Sequence, residues 1–79
     1  MSAMILYIKS GCPWCIAAEA WLKNHGVVYD VVDVLSNEPA FAEMKKLSGQ
    51  SKAPVLVVGK EKFLADFGPE ELPDFLNRP

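Results

Sequence analysis

The sequence contains few of the residues from which metal sites, disulfide frameworks and nucleic-acid surfaces are built. Its 79 residues include two cysteines and one histidine, and its eight lysines and arginines are outnumbered by ten aspartates and glutamates. Two cysteines cannot form a framework of several disulfides, and with one histidine they do not make up the four ligands of a structural zinc site. The formal charge of −2, without clustered basic residues, argues against nucleic acid or an anionic membrane as the main partner.

Long apolar runs are also missing. Residues 1–4 lead directly into a short strand-like stretch, with no basic region followed by a long apolar segment. The sequence therefore predicts neither a secretory signal nor a membrane span, and we expect a cytoplasmic location. A chain of this length has room for one modest core, so we expect a single domain over residues 1–79.

The apolar pattern of the first half predicts a strand, a helix and a second strand. Residues 5–8 are a short apolar run with β-branched and aromatic members, as in a buried strand. Residues 13–25 are good helix formers that begin with proline and are followed by Gly26. Residues 27–34 are rich in β-branched side chains, which favour a strand. A helix between two strands of one sheet implies that the strands run parallel.

The second half predicts a helix, a hairpin and a last helix, which Pro73 should bend or delay because it lacks an N–H donor. Capping residues, a glycine turn and a second Gly-Pro pair mark their boundaries. The expected elements are a helix over residues 36–49, hairpin strands at 55–58 and 61–64 around a turn at 59–60, and a helix opened by residues 68–71.

The two cysteines are predicted to lie in unequal surroundings at the start of the first helix. Cys12 falls at the cap, where the unpaired N–H groups and the helix dipole favour the reactive thiolate, and Lys9 adds positive charge nearby. Cys15 falls on the face that should pack inward, and is therefore expected to be shielded. The other members of that face are Ala18, Trp21, Leu22 and His25.

This arrangement favours redox chemistry, in which Cys12 attacks a disulfide and Cys15 resolves the mixed disulfide. Three other interpretations stay open at this point. The pair could form a structural disulfide, although closing so short a loop stabilises little. It could contribute to a zinc site, although the ligand set is incomplete. Free cysteines also occur as small apolar core residues without chemistry.

The order of these elements, with Cys12-Pro13-Trp14-Cys15 at a helix start and a proline before a hairpin, closely resembles the glutaredoxins of the thioredoxin-fold superfamily. The most specific segments are residues 9–15 and 48–54. The resemblance implies an α/β, thioredoxin-like fold, a four-stranded mixed sheet with about three helices. It also implies a dithiol oxidoreductase that carries no resident cofactor or metal and uses glutathione as co-substrate.

The resemblance further implies how glutathione is held. Pro54 would be cis and lie against the thiols, and the backbone of Ala53 would pair with the cysteinyl part of glutathione. Trp14 would form one wall of the groove. Lys9 and Gln50 would hold the glycine carboxylate.

At the other end of the groove, Asp66 would meet the γ-glutamyl amine. Two departures from the family pattern put the preference for glutathione in question. Ala53 stands where the family usually has valine, and Leu64-Ala65 stands where it has a glycine pair. The bulkier Leu64 and Ala65 would narrow that end of the groove.

Residues 66–70 resemble instead the end of the small redoxins that serve ribonucleotide reductase and are reset by thioredoxin reductase. Some glutaredoxins are iron–sulfur carriers, which is a second alternative, and a non-catalytic interaction domain is a third. The partners expected on the main interpretation are glutathione and disulfide-bearing proteins, with thioredoxin reductase on the first alternative. No nucleic acid or membrane is expected, and we expect a monomer.

Overall fold

The computed structural model describes residues 4–59 and 62–77. In these residues, four strands and three helices follow one another in the order that the sequence predicts. The elements are β1 (Met4–Ile8), α1 (Pro13–Asn24), β2 (Asp30–Asp33), α2 (Glu38–Ser48), β3 (Val55–Val58), β4 (Lys62–Ala65) and α3 (Leu72–Asn77), with 3-10 turns at Val34–Ser36 and Pro69–Glu71.

The strands form one mixed sheet in the order β2-β1-β3-β4. β1 and β2 are parallel, with Ile5 opposite Asp30. β1 and β3 are antiparallel, with Leu6 opposite Leu56, and β3 and β4 form the antiparallel hairpin. This four-stranded mixed sheet with three helices confirms the predicted fold class.

The helices begin and end at the residues that local chemistry favours. Pro13 occupies the first turn of α1, where its missing N–H has no helical partner to lose. α2 begins after Asn37, whose side chain accepts a hydrogen bond from the Ala40 N–H at 3.1 Å. It ends at Gly49, which adopts the left-handed conformation with φ +71°, a backbone geometry that glycine adopts without steric cost.

β2 is shorter than the sequence predicts. The β-branched run covers residues 27–34, yet only Asp30–Asp33 forms a strand, because these are the residues opposite β1. The Val27 N–H instead donates to the Leu22 carbonyl at 3.0 Å and completes the end of α1. Val34 begins a 3-10 turn. Pairing with a neighbouring strand therefore overrides β propensity at both ends.

The C-terminal helix is delayed, as expected from Pro73. A 3-10 turn at Pro69–Glu71 comes first, and α3 begins at Leu72, so Pro73 lies in its first turn. Residues 60 and 61, where the sequence predicts the hairpin turn and the start of β4, lie outside the described residues.

Each face of the sheet carries its own buried cluster. Alternate residues of β1 and β3 point to opposite faces, as the side-chain period of a strand requires. The cluster shared with α1 and α3 consists of Leu6, Ala18, Leu22, Leu56, Phe67, Leu72 and Phe75. The cluster shared with α2 consists of Tyr7, Val34, Met44, Val55 and Val57.

The inward face of α1 is narrower than predicted. Ala18 and Leu22 are buried, but Trp21 is half-buried and His25 is exposed at the end of the helix. His25 stacks on Trp21 rather than entering the core. Among the described helices, none is long and apolar enough to cross a membrane.

Candidate active site

The cysteines lie where the chain leaves β1 and enters α1. Cys12 is the N-cap residue of α1 and has extended backbone geometry, with φ −82° and ψ 113°. Its N–H donates to the Lys9 carbonyl at 3.1 Å. Gly11 adopts φ +82°, a conformation that a residue with a Cβ avoids. The segment from Lys9 to Cys12, the active-site turn, is thus a tight turn that ends at the thiol.

The Cys12 sulfur performs the capping role that oxygen usually performs. Its Sγ accepts a hydrogen bond from the Cys15 N–H at 3.2 Å, which is one of the backbone donors left unpaired at the start of a helix. Cys12 is half-buried, so part of the residue is open to solvent. Because N–H donors and the positive end of the helix dipole both favour negative charge, this position suits a nucleophilic thiolate.

Cys15 lies in the opposite environment. It is 1% exposed, which confirms the predicted shielding. Burial, together with the hydrogen bond and charge of Cys12, raises the pKa of the Cys15 thiol to about 12. Both cysteines are free thiols in the structure, and the fold makes one accessible and keeps the other protonated and enclosed.

Pro54 lies at the same end of the sheet as the cysteines. Tyr7 pairs with Val55, so Pro54 is level with the end of β1, from which the chain leads to Cys12. The Ala53–Pro54 peptide is cis, as the resemblance implied, and Pro54 is buried. The site is therefore bordered by a backbone edge immediately before β3.

Asp66 is brought beside this edge by the hairpin. Its N–H donates to the Pro54 carbonyl at 2.9 Å, and its side chain is exposed. Asp66 has φ +51°, in the left-handed region that aspartate tolerates better than most residues. The carboxylate thus stands at the rim of the site, next to the residues predicted to contact a substrate.

The side chain of Lys9, which the sequence predicts to be a site residue, contacts Phe41 of α2. Its ammonium lies 5.0 Å from the centre of the Phe41 ring, and the ammonium of Lys45 lies 4.7 Å from the centre of the same ring. Both are within the range of a cation–π interaction. Lys9 therefore brings positive charge to the boundary between the active-site turn and α2.

The Gln50 side chain braces the loop that leads to Ala53. Its amide nitrogen donates to the Ser48 hydroxyl at 3.2 Å and to the Lys52 carbonyl at 2.9 Å. Its oxygen accepts from the Lys52 N–H at 2.7 Å. Trp14, in contrast, is 53% exposed on the first turn of α1, so it presents a large apolar surface beside Cys12.

One contact at the site was missed by the sequence analysis. The Ser10 hydroxyl donates to the Asp33 carboxylate, across the ends of β1 and β2. This hydrogen bond, with that of the Leu35 N–H, holds the pKa of the Asp33 carboxyl below its ordinary value of 3.8. The available signal was the position of Asp33 at the carboxyl end of a strand parallel to β1. Within residues 4–59 and 62–77 there is no group of three or more metal-ligating side chains.

Comparison with known proteins gives consistent results for sequence and fold. The family model described as Glutaredoxin matches residues 4–63. A glutaredoxin of Neisseria meningitidis is 36% identical over 61 residues, which cover 76% of this chain and 72% of the relative.

Two solved structures share the fold at lower sequence identity. The glutaredoxin of Archaeoglobus fulgidus superimposes with a TM-score of 0.85 at 24% identity, over 99% of this chain and 89% of that one. The NrdH-redoxin of Escherichia coli, described as glutaredoxin-like with a thioredoxin-like activity profile, superimposes with a TM-score of 0.76 at 22% identity, over 96% and 97%. At these identities the likeness establishes the fold alone.

Proposed function

This chain belongs to the glutaredoxin family, and from that premise we propose that it is a glutathione-linked thiol–disulfide oxidoreductase. It reduces protein disulfides or glutathione mixed disulfides through Cys12 and Cys15. The observation that carries the proposal is the sulfur of the half-buried Cys12, hydrogen-bonded to the Cys15 N–H at 3.2 Å, together with the buried thiol of Cys15. A reducing compartment such as the cytoplasm is the setting in which such a dithiol is regenerated.

The proposed cycle begins with the Cys12 thiolate. It attacks one sulfur of the substrate disulfide, a Cys12–substrate disulfide forms, and the other substrate sulfur leaves as a thiolate that takes up a proton. Cys15 then loses its proton and attacks the Cys12 sulfur, which releases the second substrate thiol. Two molecules of glutathione reduce the resulting Cys12–Cys15 disulfide and leave as glutathione disulfide.

The environment of Cys15 suits a thiol that attacks in the second step of the proposed cycle. With a pKa of about 12, its thiol stays protonated at neutral pH and does not compete with Cys12 for substrate. Part of that elevation comes from the hydrogen bond and charge of Cys12. Both change when Cys12 enters a mixed disulfide, so Cys15 becomes easier to deprotonate when its attack is needed.

The rim of the site is better suited to the γ-glutamyl end of glutathione than to its glycine end. The exposed Asp66 carboxylate, held beside Pro54, suits the γ-glutamyl amine, and Ala53 and Trp14 suit the cysteinyl part. At the glycine end, Lys9 would exchange its contact with Phe41 for the carboxylate. Gln50 would give up hydrogen bonds within its own loop.

A second candidate is a small redoxin reset by thioredoxin reductase, serving ribonucleotide reductase. The similarity of fold to the Escherichia coli NrdH-redoxin supports it. So does the segment after Asp66, in which Phe67 and Gly68 are buried against the core. Leu64 and Ala65 occupy the positions where a glycine pair would leave more room for glutathione.

The deciding experiment measures NADPH oxidation with a glutathione mixed disulfide and with a protein disulfide. Each substrate is run once with glutathione and glutathione reductase and once with thioredoxin reductase. We expect turnover in the glutathione arm that is abolished in Cys12→Ser. Cys15→Ser should lose protein-disulfide reduction yet retain turnover of the mixed disulfide, because a second glutathione can attack the Cys12 adduct.

Turnover with thioredoxin reductase alone would replace the proposal by the redoxin candidate. If no Cys12-dependent turnover is found in either arm, the oxidoreductase proposal is wrong. An iron–sulfur carrier would then be tested by the colour that cluster thiolates give after anaerobic reconstitution.

A further inference from the structure

Asp33 lies beside the start of the active-site turn although it is far from it in sequence. It is the last residue of β2 and pairs with Ile8, the last residue of β1. From Ile8 the chain passes through Ser10 to Cys12. The Ser10 hydroxyl donates to Oδ2 of Asp33, so one carboxylate connects the end of the parallel strand pair to the segment that carries the thiol.

Asp33 is itself held from several directions. Its Oδ1 accepts from the Leu35 N–H at 3.0 Å, and its carbonyl accepts from the Ser36 hydroxyl at 3.1 Å. Its backbone pairs with β1. The carboxylate that Ser10 meets is therefore attached to an ordered strand end and to the 3-10 turn that follows it.

Besides the Ser10–Asp33 hydrogen bond, the active-site turn is held by the contact of Lys9 with Phe41 and by a hydrogen bond between its two ends. The Cys12 N–H donates to the Lys9 carbonyl at 3.1 Å, and Gly11 has no side chain with which to make a contact. Asp33 thus accepts a hydrogen bond from the hydroxyl of the residue that stands two positions before the nucleophile.

We propose that Asp33 is a positioning residue for Cys12, holding Ser10 so that the Cys12 sulfur stays within hydrogen-bond distance of the Cys15 N–H. The proposal rests on the proposed function, in which Cys12 is the nucleophile. Its importance follows from how steeply a hydrogen bond weakens with distance and angle. A turn that can shift moves the sulfur away from the donor that favours its thiolate.

The negative charge of Asp33 makes it possible to distinguish a positioning role from an electrostatic effect on Cys12. A carboxylate near Cys12 would disfavour a thiolate, since like charges repel. If charge dominated, neutralising Asp33 would make Cys12 more reactive. If position dominates, Asp33→Asn should keep most of the reactivity, because the amide oxygen can accept from the Leu35 N–H while the amide N–H donates to the Ser10 hydroxyl. Asp33→Ala should lose it.

The test measures the rate at which iodoacetamide alkylates Cys12 at pH 7, with the label located by mass spectrometry. Cys15 is buried and protonated, so Cys12 is labelled first. We expect Ser10→Ala and Asp33→Ala each to slow alkylation by about fivefold to tenfold, the loss of roughly one hydrogen bond. The double variant should be no slower than Asp33→Ala alone, because both changes remove the same contact.

Ser36→Ala is the matched control. It removes a hydroxyl that also donates to Asp33, but to its carbonyl and outside the active-site turn. Alkylation should stay at the wild-type rate in Ser36→Ala and close to it in Asp33→Asn. Urea unfolding of every variant shows whether any slowing merely follows a loss of stability.

The proposal is overturned if Ser10→Ala reacts at the wild-type rate, if Ser36→Ala slows as much as Ser10→Ala, or if Asp33→Asn reacts faster than wild type. Its outcome is independent of turnover. Slowed alkylation in Ser10→Ala together with absent disulfide reduction in wild type would leave the positioning role standing and reject the oxidoreductase. Alkylation at the wild-type rate in Ser10→Ala, together with turnover in the wild-type protein, would reject the positioning role and keep the oxidoreductase.

Discussion

At its first turn, α1 is capped by the thiol of Cys12, whereas its last turn is closed by His25, which stacks on Trp21. The thiol makes a single contact with the helix backbone, at 3.2 Å from the Cys15 N–H. The His25 ring lies 3.8 Å from the indole at an interplanar angle of 14°. Its Nδ1 is 2.8 Å from the Trp21 carbonyl, to which the His25 N–H also donates.

The two ends of α1 differ in how well they are capped. The first turn is capped less well than the last, and it is the end that carries the thiol of the proposed reaction. Serine, threonine, aspartate and asparagine are the favoured N-caps because an oxygen accepts well from the first turn. A sulfur is a weaker acceptor, so Cys12 is a poorer cap than serine at the position where the proposed reaction needs a nucleophile. At the other end no reaction competes, and a backbone bond, a ring stack and a ring nitrogen all secure the final turn.

The largest effect expected from this comparison is in Cys12→Ser. Disulfide reduction should fall by about a thousandfold or more, because a hydroxyl replaces the nucleophile. The free energy of unfolding should rise by about 0.5–1 kcal/mol, because serine is the better N-cap. Coupled-enzyme turnover and urea unfolding measure the two quantities.

Cys15→Ser is the control, since it makes the same atomic change one turn later. There a buried hydroxyl replaces a buried sulfur, and we expect a loss of about 1–3 kcal/mol of stability. If both substitutions lower the stability of the protein, the view of Cys12 as a compromised cap is wrong.

A smaller effect is expected at the other end of the helix. His25→Ala should lower the free energy of unfolding by about 1 kcal/mol, the size of an aromatic pair, and leave turnover within about twofold of wild type. His25→Phe keeps the stack and should recover most of the stability. A large loss of turnover in His25→Ala would show that the two ends are not separated in function.

The smallest expected effect is the loss, at acidic pH, of the stability that Asp33 contributes. The pKa of Asp33 is depressed, so the stability it adds is present above its ordinary value of 3.8 and is lost as pH falls through the lower value of the folded state. The difference in urea midpoint between wild type and Asp33→Asn should therefore be constant from pH 5 to 7 and shrink below pH 3.8. A difference that grows on acidification would contradict this linkage.

Much of the fold was predictable because its signals are local. Pro13, Asn37 and Gly49 mark helix ends through their own backbone preferences. The shielding of Cys15 followed from helical spacing alone. These features depend on residues within a few positions of one another, so no knowledge of the sheet was needed to find them.

The features that were missed depend on pairing between distant segments. The limits of β2 are set by the residues opposite β1 rather than by the run of valines. The Ser10–Asp33 contact joins residues 23 positions apart and appears only once the parallel register is known. Similarly, Gln50 was predicted from resemblance as a ligand-binding side chain, and its hydrogen bonds to Ser48 and Lys52 became evident only in the folded loop.

The cap formed by Cys12 also ties helix energetics to redox equilibrium. Its sulfur accepts best as a thiolate and less well once it has entered a disulfide. Folding and reduction close one thermodynamic cycle. Any free energy that the cap adds to the reduced protein over the oxidised one must therefore make the proposed Cys12–Cys15 disulfide easier to reduce by the same amount. The strength of the Cys12 cap thus contributes to the reduction potential of the protein. Replacing residues that position the Cys12 sulfur would change that potential.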